Sequence, residues 1–337
     1  MTKLKEAAYY NKTSKDEVIC TLCPHMCKLQ EEEHSPCGTR MLIDGKLRAL
    51  SYGRLIAANI DPVEKKPLYH FMPGSYTYSI GTAGCNMHCL NCQNADISQA
   101  KIDEEQEQNS TPEDIVDAAL NNNLESISYT YTEPTIFFEL MRDTAKIARK
   151  KGIKNIMVSN GYINPKPLRE LIPLLDAVNI DMKAFNSEIY EKLTGAKLEP
   201  VLKSIETLHQ SEVHMEITLL LIPGYSDKDE DLADFFKWMT DRDMHEVPLH
   251  ISRFFPTYKL LSALATPESE IFDVRQKALD AGLKFVFPGN VSGGDAMNTY
   301  CPECGTPGIK RDRMRTENML KDGKYCSSCG YQVITHS

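Results

Sequence analysis

Cysteine is the residue type whose spacing in this chain indicates chemistry. All eleven cysteines fall into three groups, four near the N-terminus, three in the middle and four near the C-terminus. The groups are Cys20, Cys23, Cys27 and Cys37; Cys85, Cys89 and Cys92; and Cys301, Cys304, Cys326 and Cys329. Four thiolates can complete a tetrahedral zinc or iron shell, whereas three leave one coordination position open. The terminal groups therefore predict structural metal sites, and the middle group predicts a reactive metal centre.

The two terminal groups have the spacing of small metal-binding modules. In the C-terminal group, two C-x2-C pairs are separated by 21 residues and an Asp322-Gly323 turn precedes the second pair, which is typical of a zinc ribbon. An Asp44-Gly45 turn between apolar runs follows the N-terminal group, which predicts a metal-stapled hairpin. We expect zinc at both groups. Thiolates also bind iron–sulfur clusters, so an auxiliary cluster is the alternative.

The middle group places three thiols in one short loop, at positions i, i+4 and i+7. Three such thiols can hold three corners of a [4Fe-4S] cluster and leave the fourth iron free of protein ligands. An open iron can chelate a small molecule through an amine and a carboxylate, and S-adenosylmethionine carries such a pair. His88, inside the loop, could instead complete a zinc site with the three cysteines.

Further motifs accompany the cysteine loop. They are Cys20-x2-Cys23-Pro24-His25-x-Cys27, Asp61-Pro-Val-Glu-Lys-Lys-Pro67-Leu-Tyr-His70-Phe-x-Pro-Gly74, Gly84-Cys85-Asn86, Cys92-Gln93-Asn94 and Tyr129-Thr-Tyr-Thr-Glu133-Pro134. Together with the Cys-x3-Cys-x2-Cys spacing, they resemble the AmmeMemoRadiSam-system radical S-adenosylmethionine enzymes. These enzymes are relatives of pyruvate formate-lyase activating enzymes, and the resemblance covers nearly the whole chain.

The resemblance implies a radical reaction. A reduced cluster would donate an electron to the bound sulfonium, cleave its sulfur–C5′ bond and release a 5′-deoxyadenosyl radical that abstracts hydrogen from a substrate. It also implies an electron donor of the flavodoxin or ferredoxin class, a partner-protein glycine as the hydrogen source, and association with Memo-like and AMMECR-like proteins. The alternatives are radical modification of a small molecule or of RNA, and a non-catalytic zinc-binding adaptor.

The middle of the chain predicts an α/β scaffold, because β-rich runs alternate with segments of helical period. We place six strands near 77–82, 126–131, 154–159, 177–182, 214–221 and 248–252. Thr111 before Pro112 predicts a helix N-terminus, and a second helix follows Pro134. Six such units suit a partial (β/α)6 TIM-like barrel, which the resemblance also implies, although an open doubly wound sheet has the same period.

Polar residues follow most of the predicted strands, and parallel strands bring these residues to one opening. The candidates for binding the cosubstrate or substrate are Glu133, Ser159, Asn160, Asp181, Lys183, His250 and Arg253. The resemblance implies that Glu133 binds the methionine amine, although the two glycines that precede this acid in related enzymes are absent. It also implies that the Asp181-x-Lys183 segment contacts S-adenosylmethionine. These candidates also have structural alternatives. Glu133 could be a carboxylate at a helix N-terminus, and Ser159 with Asn160 could form a turn. Asp181 with Lys183 could be a surface ion pair, and His250 could be a core histidine.

Composition and charge limit the possible binding partners and the possible location of the protein. The 337 residues carry a formal charge of -9, which gives no general attraction to nucleic acid or anionic membranes. No apolar run is long enough to cross a membrane and no signal sequence precedes the first motif, so we expect a cytoplasmic protein. We predict an N-terminal module at 1–70, the core barrel at 71–295 and the zinc-ribbon-like module at 296–337. The charged run from Asp61 to Lys66 is interpreted as solvent-exposed.

Overall fold

A small N-terminal module of five short strands begins the computed structural model, which describes residues 4–102, 109–312 and 315–335. The strands are β1 (Tyr10–Lys12), β2 (Glu17–Cys20), β3 (Lys28–Gln30), β4 (Arg40–Ile43) and β5 (Lys46–Ala49). Strands β1 to β3 form an antiparallel sheet, and β4 pairs with β5 in a hairpin. The predicted turn joins this hairpin, since Asp44 and Gly45 both have positive φ, 53° and 64°.

An eight-stranded sheet forms the centre of the structure. Its strands are β6 (Leu55–Pro62), β7 (Tyr76–Thr82), β8 (Ser126–Tyr129), β9 (Lys154–Ser159), β10 (Ala177–Met182), β11 (His214–Leu221), β12 (Leu249–Arg253) and β13 (Val286–Gly289). They are ordered as in the sequence, and all neighbours are parallel except β6 and β7. Strands β7 to β12 are the six predicted strands, so the α/β fold is confirmed. Strands β6 and β13 were not predicted; they form the two edges, which leaves the barrel partial.

Helices alternate with the strands of this sheet along the sequence, and several of them pack against it. They are α1 (Ala95–Ser98), α2 (Pro112–Asn121), α3 (Phe138–Lys150), α4 (Pro165–Leu171), α5 (Ser187–Thr194), α6 (Leu198–His209), α7 (Asp229–Thr240) and α8 (Glu268–Asp280). Helix α2 begins as predicted, with Thr111 and Asp114 forming a capping box. Among the described residues, no helix has both the length and the apolar character that a membrane crossing requires.

The segment between β6 and β7 closes the end of the barrel at which the parallel strands begin. It is held there by the carboxylate of Glu216, which accepts hydrogen bonds from the backbone N–H groups of Tyr69 (2.9 Å) and His70 (2.7 Å). The rings of His214 and His250 contact the same carboxylate at 2.9 and 2.6 Å. Burial alone would raise the pKa of Glu216, but these hydrogen bonds hold it well below the ordinary range.

The charged run that leads into this segment is not a solvated surface, so that interpretation was wrong. The side chains of Asp61 and Lys66 are only 6% and 3% exposed, and they form an ion pair at 2.7 Å. Tyr131 donates its hydroxyl hydrogen to Asp61 at 2.6 Å, and Lys66 lies over the Tyr131 ring. Of the charged side chains in the run, Lys65 is the exposed one. Burial is possible here because each buried charge has a partner.

The C-terminal module packs beneath the same closed end. It contains strands β14 (Thr299–Tyr300), β15 (Pro307–Arg311) and β16 (Thr316–Asn318). Arg311 donates to the Tyr69 carbonyl and stacks over the Tyr69 ring, and the Thr299 hydroxyl bonds the His70 ring at 3.0 Å. Lys284, which precedes β13, bonds the Tyr331 hydroxyl at 3.1 Å. The module therefore lies far from the carboxyl ends of the strands.

Replacing Glu216 by glutamine should destabilise the protein. Hydrogen bonds to a charged group contribute about 1.5–3 kcal/mol each, and glutamine removes the negative charge that all four donors face, so the free energy of unfolding at pH 7 should fall by about 3 kcal/mol or more. Chemical denaturation measures it. The exposed Glu212, four residues earlier, is the matched control, and Glu212→Gln should have little effect.

The effect of Glu216→Gln should also depend on pH. The folded-state pKa of Glu216 lies below its unfolded-state value, so its stabilisation is present above about pH 4.3 and is lost as the pH falls further. The difference between wild type and variant should therefore shrink below pH 4. A constant difference from pH 7 to pH 3 would show that the carboxylate charge is not what stabilises this end.

Candidate active site

The loop that follows β7 carries the three middle cysteines and lies at the open end of the barrel. Two contacts fix it to the next loop along the sheet. The Asn94 amide donates to the Tyr131 carbonyl at 2.6 Å, and the Thr132 hydroxyl donates to the carbonyl of Thr82, the last residue of β7, at 2.7 Å. The cysteines are thus held against a rigid strand end and not on a free surface loop.

The surroundings of the three sulfur atoms suit metal binding. The Met87 N–H donates to the Cys85 sulfur at 3.4 Å, and the Ser98 hydroxyl lies 3.1 Å from the Cys92 sulfur. Burial raises the pKa of the Cys85 and Cys89 thiols, for Cys89 to about 11. Metal binding at this loop therefore has to displace protons from these thiols.

The structure does not bring His88 into a metal site with the three cysteines. Its ring is exposed and bonds the Gln99 side chain at 2.7 Å. Among residues 4–102, 109–312 and 315–335, the one set of three or more ligand atoms within 4.8 Å of one another is the C-terminal cysteine group. Nothing in this geometry favours the alternative zinc site of three cysteines and His88.

Glu133 lies at the end of β8 and is fully buried. One carboxylate oxygen accepts from the Thr135 N–H at 2.9 Å and from the Ser159 hydroxyl at 2.8 Å. The other accepts from the Asn160 N–H at 2.8 Å. Burial raises the pKa of this carboxyl group, although the three donors oppose the shift. Glu133 therefore joins the ends of β8 and β9, and all of these bonds are made within the protein.

Asn160 extends this connection to the cysteine loop. Its side-chain amide donates to the Asn86 side-chain oxygen at 2.9 Å and lies 3.9 Å from the Cys85 sulfur. Asn86 in turn donates to the Tyr162 carbonyl at 2.8 Å. The Asn86 and Asn160 side chains thus fix the position of Cys85 relative to β9.

Asp181 and Lys183 lie at the end of β10, and their charged groups are 3.0 Å apart. The Lys183 side chain is 18% exposed, and that of Asp181 is 34% exposed. Burial alone would lower the pKa of Lys183, but the Asp181 carboxylate and the Cys89 sulfur raise it above the ordinary range. Lys183 is therefore a charged, partly accessible ammonium group beside the cysteine loop.

The structure separates His250 from the other candidates, and it shows Arg253 bonded to residues that follow β12. His250 lies near the start of β12, only 3% exposed, with its ring bonded to Glu216 at the closed end. Arg253 ends the same strand, but its guanidinium bonds the Thr266 carbonyl and the Glu268 carboxylate, both at 2.7 Å. The His250 side chain is therefore engaged at the closed end, whereas Arg253 lies at the carboxyl end of β12 with its guanidinium already hydrogen-bonded.

The C-terminal cysteines form a compact group. Cys301 and Cys329 lie 3.5 Å apart, as do Cys304 and Cys326, and all four sulfur atoms lie within 4.8 Å of one another. The two C-x2-C turns have the same backbone bond, from the residue after the second cysteine to the carbonyl of the first. A group of four thiols at these distances could hold a metal ion.

The N-terminal cysteines lie beside the cysteine loop, at the open end of the barrel. They line a cavity of about 270 Å³, and Asn86, His88 and Thr135 contribute to its wall. Here the His25 ring bonds the Asn86 carbonyl at 2.7 Å. The two cysteine-rich modules therefore pack against opposite ends of the barrel, as their bonding partners show.

Close backbone packing joins the N-terminal module to the cysteine loop at Gly84. A Cβ atom at this position would lie 2.5 Å from the Cys37 carbonyl oxygen and 2.5 Å from Cγ2 of Thr39. Gly84 also has a φ of +95°, which side chains rarely adopt. Only glycine at position 84 allows the backbone of Cys37 to approach the cysteine loop this closely.

Sequence reasoning missed two residues that organise this region. Arg40 is 1% exposed and bonds both carboxylate oxygens of Glu139 at 2.9 Å, which anchors the N-terminal module to α3. Asn86 was identified only as part of a motif. A lone arginine at the start of an otherwise apolar strand could have identified Arg40, because a buried charge needs a buried partner.

Comparison with known proteins identifies similar chains. The family model described as the radical SAM superfamily matches residues 79–236, which include the cysteine loop and the ends of β8 to β11. An uncharacterized protein of Methanocaldococcus jannaschii is 42% identical over 332 residues, covering 98% of this chain and 99% of that protein. The pyruvate formate-lyase 1-activating enzyme of Escherichia coli is 26% identical over 175 residues, covering 50% of this chain and 71% of the enzyme.

A solved structure shares the fold. The crystal structure of a radical SAM methyltransferase from Sphaerobacter thermophilus superposes with a TM-score of 0.52 and 12% identity, covering 91% of this chain and 82% of that chain. At this identity the likeness concerns the fold alone.

Replacing Gly84 by alanine should separate the N-terminal module from the cysteine loop. The added methyl group meets a backbone carbonyl that cannot move without displacing Cys37, so we expect weaker iron incorporation on reconstitution and a lower melting temperature. Gly152→Ala is the matched control, because Gly152 has a φ of +76° and no atom lies within 4 Å of the position that its Cβ would take. Equal losses in both variants would mean that backbone strain, and not this contact, explains the effect.

Proposed function

The chain belongs to the radical S-adenosylmethionine superfamily, and from that premise we propose that Cys85, Cys89 and Cys92 hold a [4Fe-4S] cluster that binds S-adenosylmethionine. When bound, such a cluster supplies the electron that cleaves the sulfonium reductively and yields a radical able to abstract hydrogen. The donor set fits this group, since three thiols on one loop leave one iron for the cosubstrate. The Asn160 and Ser98 side chains lie near the sulfur atoms as hydrogen-bond donors.

One observation carries the proposal. The strand-end residues Asn160 and Lys183 converge on the cysteine loop from β9 and β10, so a ligand held by that loop would meet both. A zinc-binding adaptor would need no such convergence. The fold likewise places these residues where parallel α/β barrels bind their ligands, at the carboxyl ends of the strands.

Each polar residue has a distinct task in this proposal. Lys183 attracts the carboxylate of S-adenosylmethionine as a point charge, and Asp181 holds the ammonium in place. Glu133 is a positioning residue, because its carboxylate binds Ser159 and Asn160 and so orients them toward the cosubstrate. His250 is left out of the cosubstrate site because its ring is bonded at the closed end, and Arg253 because its guanidinium is already bonded to Thr266 and Glu268.

The substrate in this proposal is a partner protein. The Escherichia coli relative is named for activating another enzyme, pyruvate formate-lyase, and its similarity extends over 175 residues, 50% of this chain. A Memo-like or AMMECR-like protein is the candidate partner, and a flavodoxin or ferredoxin is the candidate reductant.

The C-terminal group suits zinc. Four sulfur atoms at about 2.3 Å from one zinc ion lie about 3.8 Å from each other in a tetrahedron. The two 3.5 Å distances in this group are close to that value. The ion would stiffen the module that supports the closed end of the barrel.

Cys89→Ala should abolish cleavage of S-adenosylmethionine without removing zinc. The protein is reconstituted anaerobically with iron and sulfide and reduced with dithionite, and 5′-deoxyadenosine is quantified beside the metal content. Cys329→Ala is the reciprocal control, because it should lose the zinc and keep the iron of the cysteine loop. Cleavage at the wild-type rate by Cys89→Ala would refute the assignment of the middle cysteines.

Lys183→Met should weaken binding of S-adenosylmethionine. A hydrogen bond to a charged group contributes about 1.5–3 kcal/mol, so the dissociation constant should rise about 10- to 100-fold. Equilibrium binding to the reconstituted protein measures it. The control is Lys166→Met, a change at an exposed lysine in the first turn of α4. Unchanged affinity in Lys183→Met would remove Lys183 from the cosubstrate site.

A further inference from the structure

We propose that the cavity lined by Cys20, Cys23, Cys27 and Cys37 is the site of a second [4Fe-4S] cluster. This inference concerns the N-terminal module alone and stands whether or not the protein cleaves S-adenosylmethionine. Three independent features of the cavity lead to it: its size, its hydrogen-bond donors and its position.

Size is the first feature. The four N-terminal cysteines line a cavity of about 270 Å³, several times the roughly 30 Å³ of one water molecule. Zinc would require sulfur atoms about 3.8 Å apart. In the described part of the chain the C-terminal cysteines meet such a criterion, with all ligand atoms within 4.8 Å, but the N-terminal cysteines do not form such a set. A core of four irons and four sulfides fills space that one ion leaves empty.

Hydrogen-bond donors are the second feature. Nη1 of Arg40 and Oγ1 of Thr135 are buried and have no hydrogen-bond partner, although both residues line this cavity. The second terminal nitrogen of Arg40, Nη2, donates to both carboxylate oxygens of Glu139. This ion pair holds the guanidinium in place while Nη1 stays unpaired. Buried donors are seldom left without an acceptor. The sulfides of an iron–sulfur cluster can accept such hydrogen bonds, and these bonds change the reduction potential of the cluster.

The sulfur of Cys37 is already placed among further polar groups. The hydroxyls of Ser35 and Thr39 lie 3.1 and 3.2 Å from it, and both can donate to a thiolate. Cys37 would therefore act as a metal ligand with two neighbouring donors. Cys20, the last residue of β2, is buried.

Position is the third feature. Cys37 packs against Gly84, and His25 bonds the Asn86 carbonyl, so the cavity shares a wall with the loop that carries the middle cysteines. Four thiolates leave no iron open for a substrate, and the chemistry of such a cluster is electron transfer. It would accept one electron from a carrier of the flavodoxin or ferredoxin class and pass the same electron on, with no bond made or broken.

The decisive experiment removes the middle cysteines. A full-length variant with Cys85→Ala, Cys89→Ala and Cys92→Ala is reconstituted with iron and sulfide, and its metals and acid-labile sulfide are counted. We expect about four irons and four sulfides per chain, and on reduction an electron paramagnetic resonance signal that S-adenosylmethionine does not alter. Adding Cys23→Ser and Cys27→Ser should eliminate both the iron and the signal. Retained zinc in both variants shows that the chain is folded.

Two outcomes would overturn the proposal. A triple variant that binds two zincs and no iron would assign zinc to the N-terminal cysteines, and iron without acid-labile sulfide would assign a single iron. If the triple variant does not fold, Mössbauer spectroscopy of the unaltered protein distinguishes the same alternatives. About eight irons, half of them insensitive to S-adenosylmethionine, support the second cluster, whereas about four irons refute it.

A matched pair of variants tests the hydrogen-bond donors. Thr135→Val removes the unpaired hydroxyl from the cavity wall but keeps the backbone N–H that Glu133 requires. In the triple-variant background, it should shift the midpoint potential of the remaining cluster to a more negative value. Thr144→Val removes an equally buried, unpaired hydroxyl from α3, whose residue does not line the cavity, and should leave the potential unchanged. Equal potentials in both variants would exclude Thr135 as a donor to the cluster.

Discussion

The buried carboxylate of Glu216 is the interaction on which the architecture depends. A charge with no exposed surface is tolerated only if its oxygens are saturated with donors. Its four bonding partners lie in three segments of the sequence: the chain between β6 and β7, strand β11, and the neighbouring strand β12. Their convergence closes one end of the barrel. The cysteine loop lies at the opposite end, where the parallel strands finish.

At the open end, buried polar side chains supplement the hydrophobic core in holding the loops in place. Glu133, Ser159, Asn160 and Asn86 form a continuous chain of hydrogen bonds from the end of β8 to Cys85. Each member is buried, so each bond resists competition from water. A metal-binding loop supported in this way keeps its sulfur atoms in position before any metal arrives.

Local signals in the sequence predicted much of this arrangement. The six strands β7 to β12, the capping box at Thr111 and the Asp44-Gly45 turn each depend on residues close together in the chain, and the structure contains them all. The failures concern residues whose partners are distant. Asp61 is buried because Tyr131, 70 residues later, bonds it, and His250 lies at the closed end because Glu216 is on the neighbouring strand. Arg40 and Glu139 are separated by 99 residues, and no local pattern indicates such a pair.

The long separation of Arg311 from Tyr69 has a consequence for biosynthesis. These residues are 242 positions apart, and Thr299 bonds His70 across 229 positions. A nascent chain thus completes every strand of the central sheet before the ribosome delivers the residues that brace its closed end. Until then, the Arg311 guanidinium does not yet lie over the rings of Tyr69 and Phe287. The emerging protein therefore passes through a stage with exposed aromatic surface, which is when chaperones would have the greatest effect on its yield.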